Sequence, residues 1–158
     1  MLRILFICTH NRCRSILSEA ITQQKAQGLI QAFSAGSQPS GVVHPLSLQY
    51  LKETGYSIEG LQSQSWDEFQ DANIDIAITV CDSAAAETCP LWLGTTAQLH
   101  WGLADPSKIE GSEETKKEAF LKTIQIIEKR VEALAILLKD KPSQGELVNR
   151  IKVLSKEL

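Results

Sequence analysis

The chain opens with its strongest structural signal. Leu2-Arg3-Ile4-Leu5-Phe6-Ile7 is a near-continuous apolar run of strand length, and Cys8 to Arg14 follow at once. They lead into a stretch where Ile16, Leu17, Ala20 and Ile21 recur at helical spacing, ended near Gln27 by Gly28. A strand apolar on both sides expects cover on both faces, as in a parallel sheet. The alternation then repeats. Gln31 to Ala35 reads as a strand closed by Gly36, and Ser37 to Gly41 as a loop rich in Ser, Pro and Gly. Pro45 opens a helix with Leu46, Leu48 and Leu51 on one side, stopping near Gly55. Ile74 to Val80 and Ala97 to Trp101 are the next strands. Glu113 to about Lys139 is a long amphipathic helix, with Phe120, Ile124, Ile127, Val131, Leu134 and Leu138 in one stripe. Pro142 and Gly145 separate it from a last helix, about Glu146 to Lys156. This order predicts an α/β fold, three-layer α/β/α with a four-stranded parallel sheet. The 158 residues suit one domain, with residues 1–140 as its catalytic body and 141–158 as a C-terminal helical extension of it.

Composition narrows the function classes. With 43% hydrophobic and 22% charged residues the chain reads as an ordinary soluble globular protein. Its net charge of −3 and lack of a basic run argue against nucleic acid as a partner, so any affinity for anions must come from a local site. The opening strand is too short for a signal-peptide core, and no other segment reaches membrane length. The expectation is a cytoplasmic protein with no membrane partner, its four cysteines held as thiols. A secreted disulfide scaffold would be far richer in cysteine.

In parallel sheets the active site lies at the carboxyl ends of the strands, and both Cys8 and Cys81 fall at such an end. Cys8-Thr9-His10-Asn11-Arg12-Cys13-Arg14-Ser15 links the first strand to the first helix. A loop feeding a helix N-terminus aims several backbone N–H groups and the helix dipole at one spot, a nest suited to a tetrahedral oxyanion. Thr9 to Arg14 are therefore the candidate oxyanion-binding residues. The helix end and Arg14 favour the Cys8 thiolate, which is the nucleophilic form. The Arg14 guanidinium can fork two oxygens of a phosphate-like anion. The Ser15 hydroxyl can donate to the Cys8 sulfur and cap the helix. The bland alternative makes Cys8 a small buried hydrophobe and Arg14 a surface charge.

Cys-x5-Arg-Ser after a first strand resembles the signature of the low-molecular-weight tyrosine phosphatases and of the arsenate reductases that share their fold. Asn11, which buttresses the loop in that family, is present, and Cys13 matches a second loop cysteine of many members. His10 stands where the family has glycine. The family carries its general acid in an Asp-Pro pair facing the anion, and Asp105-Pro106 matches it. His100-Trp101-Gly102 upstream is similar to the arsenate reductases in particular, and Ser107 replaces the aromatic residue usual in phosphatases.

The resemblance implies a use for two further thiols. Cys8 attacks arsenate, Cys81 attacks the Cys8 sulfur and releases arsenite, and Cys89 then attacks Cys81 and frees Cys8. No cofactor is bound, and an external donor, thioredoxin or glutathione with glutaredoxin, resets the enzyme. The other reading is a phosphatase acting on phosphomonoesters, with Cys81 and Cys89 as idle buried thiols. Zinc fits the Cys-x4-Cys and Cys-x7-Cys spacings poorly, and no metal is expected. In some arsenate reductases a potassium ion sits on positions like Asn11, Glu19 and Ser34; the matching aspartate is not evident here. Ala84-Ala85-Ala86-Glu87 has high helix propensity, and eight residues of helix would hold Cys81 and Cys89 about 12 Å apart. A disulfide needs Cα atoms within roughly 7 Å, so any such helix must melt or loop out on oxidation. Trp66, Trp92 and Trp101 read as packing residues.

Overall fold

The computed structural model describes residues 1–86, 93 and 96–157. Strand β1 (Leu2–Ile7) is followed by α1 (Arg14–Lys25), β2 (Ile30–Ala35), α2 (Pro45–Glu53), β3 (Ile76–Thr79), α3 (Asp82–Ala86), β4 (Ala97–His100), α4 (Glu113–Lys139) and α5 (Gln144–Glu157). The four strands form one sheet in the order β2-β1-β3-β4, every pair parallel. Ile4, Leu5, Phe6 and Ile7 point alternately to opposite faces, and all four are buried. Both faces are therefore covered, which gives the three-layer α/β/α arrangement.

The core runs from the sheet into α1 and α4. Ile16, Leu17 and Ile21 on α1 and Phe120, Ile124, Ile127, Val131 and Leu134 on α4 are all buried, and Leu138 at the stripe's end is half-buried. Helix α5 packs against α4 and β4, with Leu147 and Ile151 buried, and the Trp101 indole N–H donates to the Ile151 carbonyl at 3.1 Å. No helix among the described residues is long and apolar enough to cross a membrane.

Several boundaries differ from the expectation, each for a local reason. Strand β3 is shorter than the run from Ile74 to Val80. Asp75 N–H still reaches the Arg3 carbonyl and Val80 N–H the Ile7 carbonyl, but the chain leaves the ladder at both ends. Helix α5 starts at Gln144, so Gly145 lies in its first turn and not in a linker; the Ser143 hydroxyl accepts from Glu146 N–H at 3.3 Å, the reach of a capping side chain. Two 3-10 turns, Trp66–Phe69 and Pro106–Lys108, had no periodicity to announce them. Each is started by the residue before it, Ser65 and Asp105, whose side chain accepts from a backbone N–H.

Candidate active site

The strand order reverses between β1 and β3: the chain goes from β1 to one side, then returns past it to the other. In such sheets the loops leaving the strands at this point diverge and open a crevice. Cys8 leaves β1 here and Cys81 follows β3, so the crevice receives both sulfurs.

The loop after β1 is fixed through its carbonyls. Gln38 N–H donates to Thr9 O at 2.9 Å, Ser40 N–H and the Ser63 hydroxyl to His10 O at 3.0 and 3.1 Å, and His44 N–H to Arg12 O at 2.9 Å. Across a trans peptide the carbonyl of one residue and the N–H of the next point in opposite directions. Turning those three carbonyls outward therefore turns the N–H groups of His10, Asn11 and Cys13 inward, toward the start of α1. Asn11 makes the bend possible. Its φ of 47° lies in the left-handed region, which asparagine tolerates better than most residues. Its fully buried amide donates to Ser15 Oγ at 2.8 Å and accepts from Gln64 N–H at 2.9 Å. Gly36 at the end of β2 lets the two backbones touch: a Cβ there would lie 2.4 Å from Thr9 O and 2.6 Å from Cys8 O.

Ser15 does not cap the helix. It is the second residue of α1, completely buried, and the cap position is Cys13, whose side chain makes no capping hydrogen bond. Because Ser15 Oγ accepts from Asn11, its own hydroxyl hydrogen remains for a different acceptor. His10 is exposed, with Nδ1 3.0 Å from the Gln38 carbonyl. Thr9, His10, Arg12, Cys13 and Arg14 line the cleft, whereas the Asn11 and Ser15 side chains lie buried behind the loop.

Arg14 and Asp105 meet from opposite walls. Arg14 Nη1 donates to Leu103 O at 2.9 Å and Nη2 to Asp105 Oδ2 at 3.4 Å, while Nε is buried without a partner. The other Asp105 oxygen accepts from the Ser107 N–H at 2.9 Å and the Ser107 hydroxyl at 2.6 Å. One carboxylate oxygen is thereby spent on starting the 3-10 turn, and the other is turned to Arg14. The cleft between them holds about 200 Å³, and Ser83 and Lys108 complete its rim. Among the described lining residues there is no Phe, Tyr or Trp.

The sulfurs form a coupled pair. Cys8 is 7% exposed and Cys81 2% exposed, and the two share a hydrogen bond. That bond, then burial, pushes the Cys8 thiol well above the ordinary thiol range. The same bond, with N–H donors from Thr9 and Ala84, lowers Cys81 to about 5. Two thiols this close lose their protons in two steps, the first easy and the second hard. The pair thus titrates as a unit, with one proton shared between the two sulfurs. N–H groups of Thr9 and Ala84 favour charge on Cys81, and Arg14 favours it on Cys8. Cys13 is buried and pushed up to about 12, chiefly by desolvation, so it stays a thiol. Cys89 and Trp92 lie outside the described residues, and α3 ends at Ala86. Trp66 is half-buried and Trp101 is buried beneath α5, both as packing residues.

The potassium-type positions Asn11, Glu19 and Ser34 are linked through Gln64. Asn11 Oδ1 accepts from Gln64 N–H, and the Gln64 side-chain amide donates to Ser34 O at 3.2 Å. The Ser34 hydroxyl donates to Glu19, whose carboxyl burial has raised to about 7. Gln64 thereby takes one lone pair each of Asn11 Oδ1 and Ser34 O. Among the described residues no group of three or more His, Cys, Asp or Glu could hold a metal. Gln64 gave no signal in the sequence, since its role depends on two residues 30 and 53 positions away. Ser107 was visible as a departure from the phosphatase pattern, but its tie to Asp105 was not.

Fold and site together set a cysteine, an arginine and an aspartate around one cleft at the switch point of a parallel sheet. The chain belongs to the low molecular weight phosphotyrosine protein phosphatase family, whose model matches residues 3–144. It is 33% identical over 132 residues to an arsenate reductase of Halalkalibacterium halodurans, covering 84% of this chain and 94% of that one. An arsenate reductase solved in its reduced state superposes with a TM-score of 0.69 at 26% identity, covering 87% of this chain and 99% of the other. A thioredoxin-dependent arsenate reductase of Corynebacterium glutamicum gives 0.68 at 26% identity, covering 90% of this chain and 64% of its own.

Proposed function

We propose that this chain reduces arsenate to arsenite with a thiol donor. The observation that carries the reading is a second buried cysteine, Cys81, lining the same cleft as Cys8, Arg14 and Asp105. Hydrolysis of a phosphomonoester has no use for a second thiol there, whereas removing an oxygen from As(V) consumes two electrons that a dithiol holds.

The steps follow from the arrangement. Arsenate enters the nest of inward N–H groups, and Arg14 forks two of its oxygens. The proton on Cys8 passes along the existing hydrogen bond to Cys81, leaving Cys8 as the thiolate. Cys8 then attacks arsenic; Asp105, having first taken a proton from solvent, passes it to one arsenate oxygen, which leaves as water. Cys81 loses its proton to an arsenic-bound oxygen and attacks the Cys8 sulfur. The S–S bond forms, the S–As bond breaks, and its electron pair stays on arsenic, which departs as As(III). Cys89 attacks Cys81 next, giving a Cys81–Cys89 disulfide and returning Cys8 as a thiol. An external dithiol reduces that bond. Thioredoxin is the donor we assign, with glutathione and glutaredoxin as the alternative, and a reducing compartment such as the cytoplasm is where either couple operates.

Single replacement of Cys81 and Cys89 by Ser tests this. C81S loses arsenite production altogether. C89S releases at most one arsenite per chain and stops as a Cys8–Cys81 disulfide. Unchanged arsenate turnover in C81S would overturn the relay, and aryl phosphate hydrolysis with no arsenate reduction under either donor system would favour the phosphatase reading.

A further inference from the structure

Arg130 is a charged residue in a place that does not require a charge. It sits on α4, is 5% exposed, and forms none of the ion pairs found among the described residues. Burial lowers its affinity for its proton, and its Nε is enclosed without a partner. Taking a cation out of water is costly unless something answers it, and an apolar side chain would fill the same volume more cheaply. Both of its terminal nitrogens go to one atom: Nη1 and Nη2 each donate to the Gly102 carbonyl at 3.3 Å. The guanidinium also lies over the Trp101 ring, 5.8 Å from its centre.

That carbonyl stands three residues before Asp105. The segment between is held at each step. Trp101 N–H donates to Thr79 O at 2.8 Å, Leu103 N–H to Val80 O at 3.1 Å, and Leu103 O accepts from Arg14 at 2.9 Å. Arg14 therefore holds the acid-bearing loop from the substrate side, and Arg130 holds it from the side of α4. The two guanidiniums grip adjacent carbonyls, Leu103 and Gly102, and Asp105 hangs from the end of that segment.

We infer that Arg130 is a positioning residue for Asp105, setting the height of the acid above the oxyanion through the Gly102 carbonyl. This rests on the reading of Asp105 as the proton donor above. An Arg130 that merely filled space would be replaceable by methionine at no cost to chemistry. One that aims the acid would not.

The test is a double-mutant cycle on single-turnover arsenite release, mixing fully reduced enzyme with excess arsenate so that recycling plays no part. R130M stays folded by circular dichroism and releases arsenite at least tenfold more slowly, while the arsenate concentration for half-maximal rate moves less than threefold. R130K, which keeps the charge but not the fork, is slowed by an intermediate amount; it also serves if R130M fails to fold. Placed on D105N, either change slows the reaction less than twofold further, because the group being aimed is already gone. A full tenfold additive loss on D105N, or no loss in the folded Arg130 variants beside a slow D105N, overturns the inference. D105N releasing arsenite at the parent rate would instead strike the acid reading and the inference with it.

Discussion

Replacing Gly36 by Ala adds one methyl group at the closest approach between β2 and the Cys8 loop. The new Cβ would stand 2.4 Å from Thr9 O and 2.6 Å from Cys8 O, against the 3.4 Å at which ordinary contact begins. Relief therefore requires a shift of about 1 Å. Neither side can give freely. Gly36 is tied through its N–H to Gln64 O at 2.9 Å and through its carbonyl to Trp66 N–H at 3.1 Å, and Cys8 N–H is tied to Ala35 O at 3.2 Å. The loop moves, carrying Cys8 and the inward N–H groups with it. Overpacking of this kind costs about 1–3 kcal/mol of stability, and in a domain of this size about 2–4 °C of Tm follows each kcal/mol. A reacting group displaced by about 1 Å loses on the order of 100-fold in rate. G36A should thus stay folded at room temperature with a lowered Tm, and kcat/KM for arsenate should fall by about two orders of magnitude. Calorimetry and coupled kinetics on one preparation read both. Parent-like kcat/KM in G36A would refute the claim that this contact shapes the oxyanion loop.

The coupled thiols and α5 give two further expectations. Thiolate absorbance near 240 nm should include an ionisation with a midpoint near pH 5, from the Cys8–Cys81 pair. Because the Cys8 hydrogen bond is the largest cause of that depression, C8A should move the Cys81 midpoint upward, toward the 9.0 of an ordinary thiol. The stability linked to Cys81, fully present above an ordinary thiol's pKa and lost as pH falls through about 5, should shrink in the same variant. An unmoved midpoint in C8A would show that the pair is not coupled. Ile151→Ala, at a fully buried position on α5, should cost about 2–5 kcal/mol by the cavity it leaves. A thermal scan showing Tm within a degree or so of the parent would mean that α5 is not packed on the core.

The order of strands and helices was legible because periodicity is local. Leu2 to Ile7 are apolar on both faces of the pleat apart from Arg3, and the stripe from Phe120 to Leu134 repeats at helical spacing, so each announces its partner layer without knowing it. The proximity of Cys8 to Arg14, and of both to a helix start, was likewise written within eight consecutive residues. Boundaries were less legible. Gly145 looked like a breaker, yet Ser143 caps the turn it occupies, and a single glycine in a first turn is tolerated.

What the linear order could not contain is anything that depends on a distant donor. How the Cys8–Cys81 pair shares its charge depends on N–H groups from Thr9 and Ala84 meeting one sulfur. Whether a cation fits beside Asn11 turns on Gln64 arriving from 53 residues away. The need for glycine at position 36 arises from carbonyls 27 and 28 positions earlier in the chain. Arg130 read as one more charge on a long helix until the fold buried it against Gly102. Local pattern fixes the kind and order of the elements because propensity and burial are properties of neighbours. Protonation, ion fit and loop height are set by a few ångströms between segments far apart in the chain, and those distances come into being when the layers close.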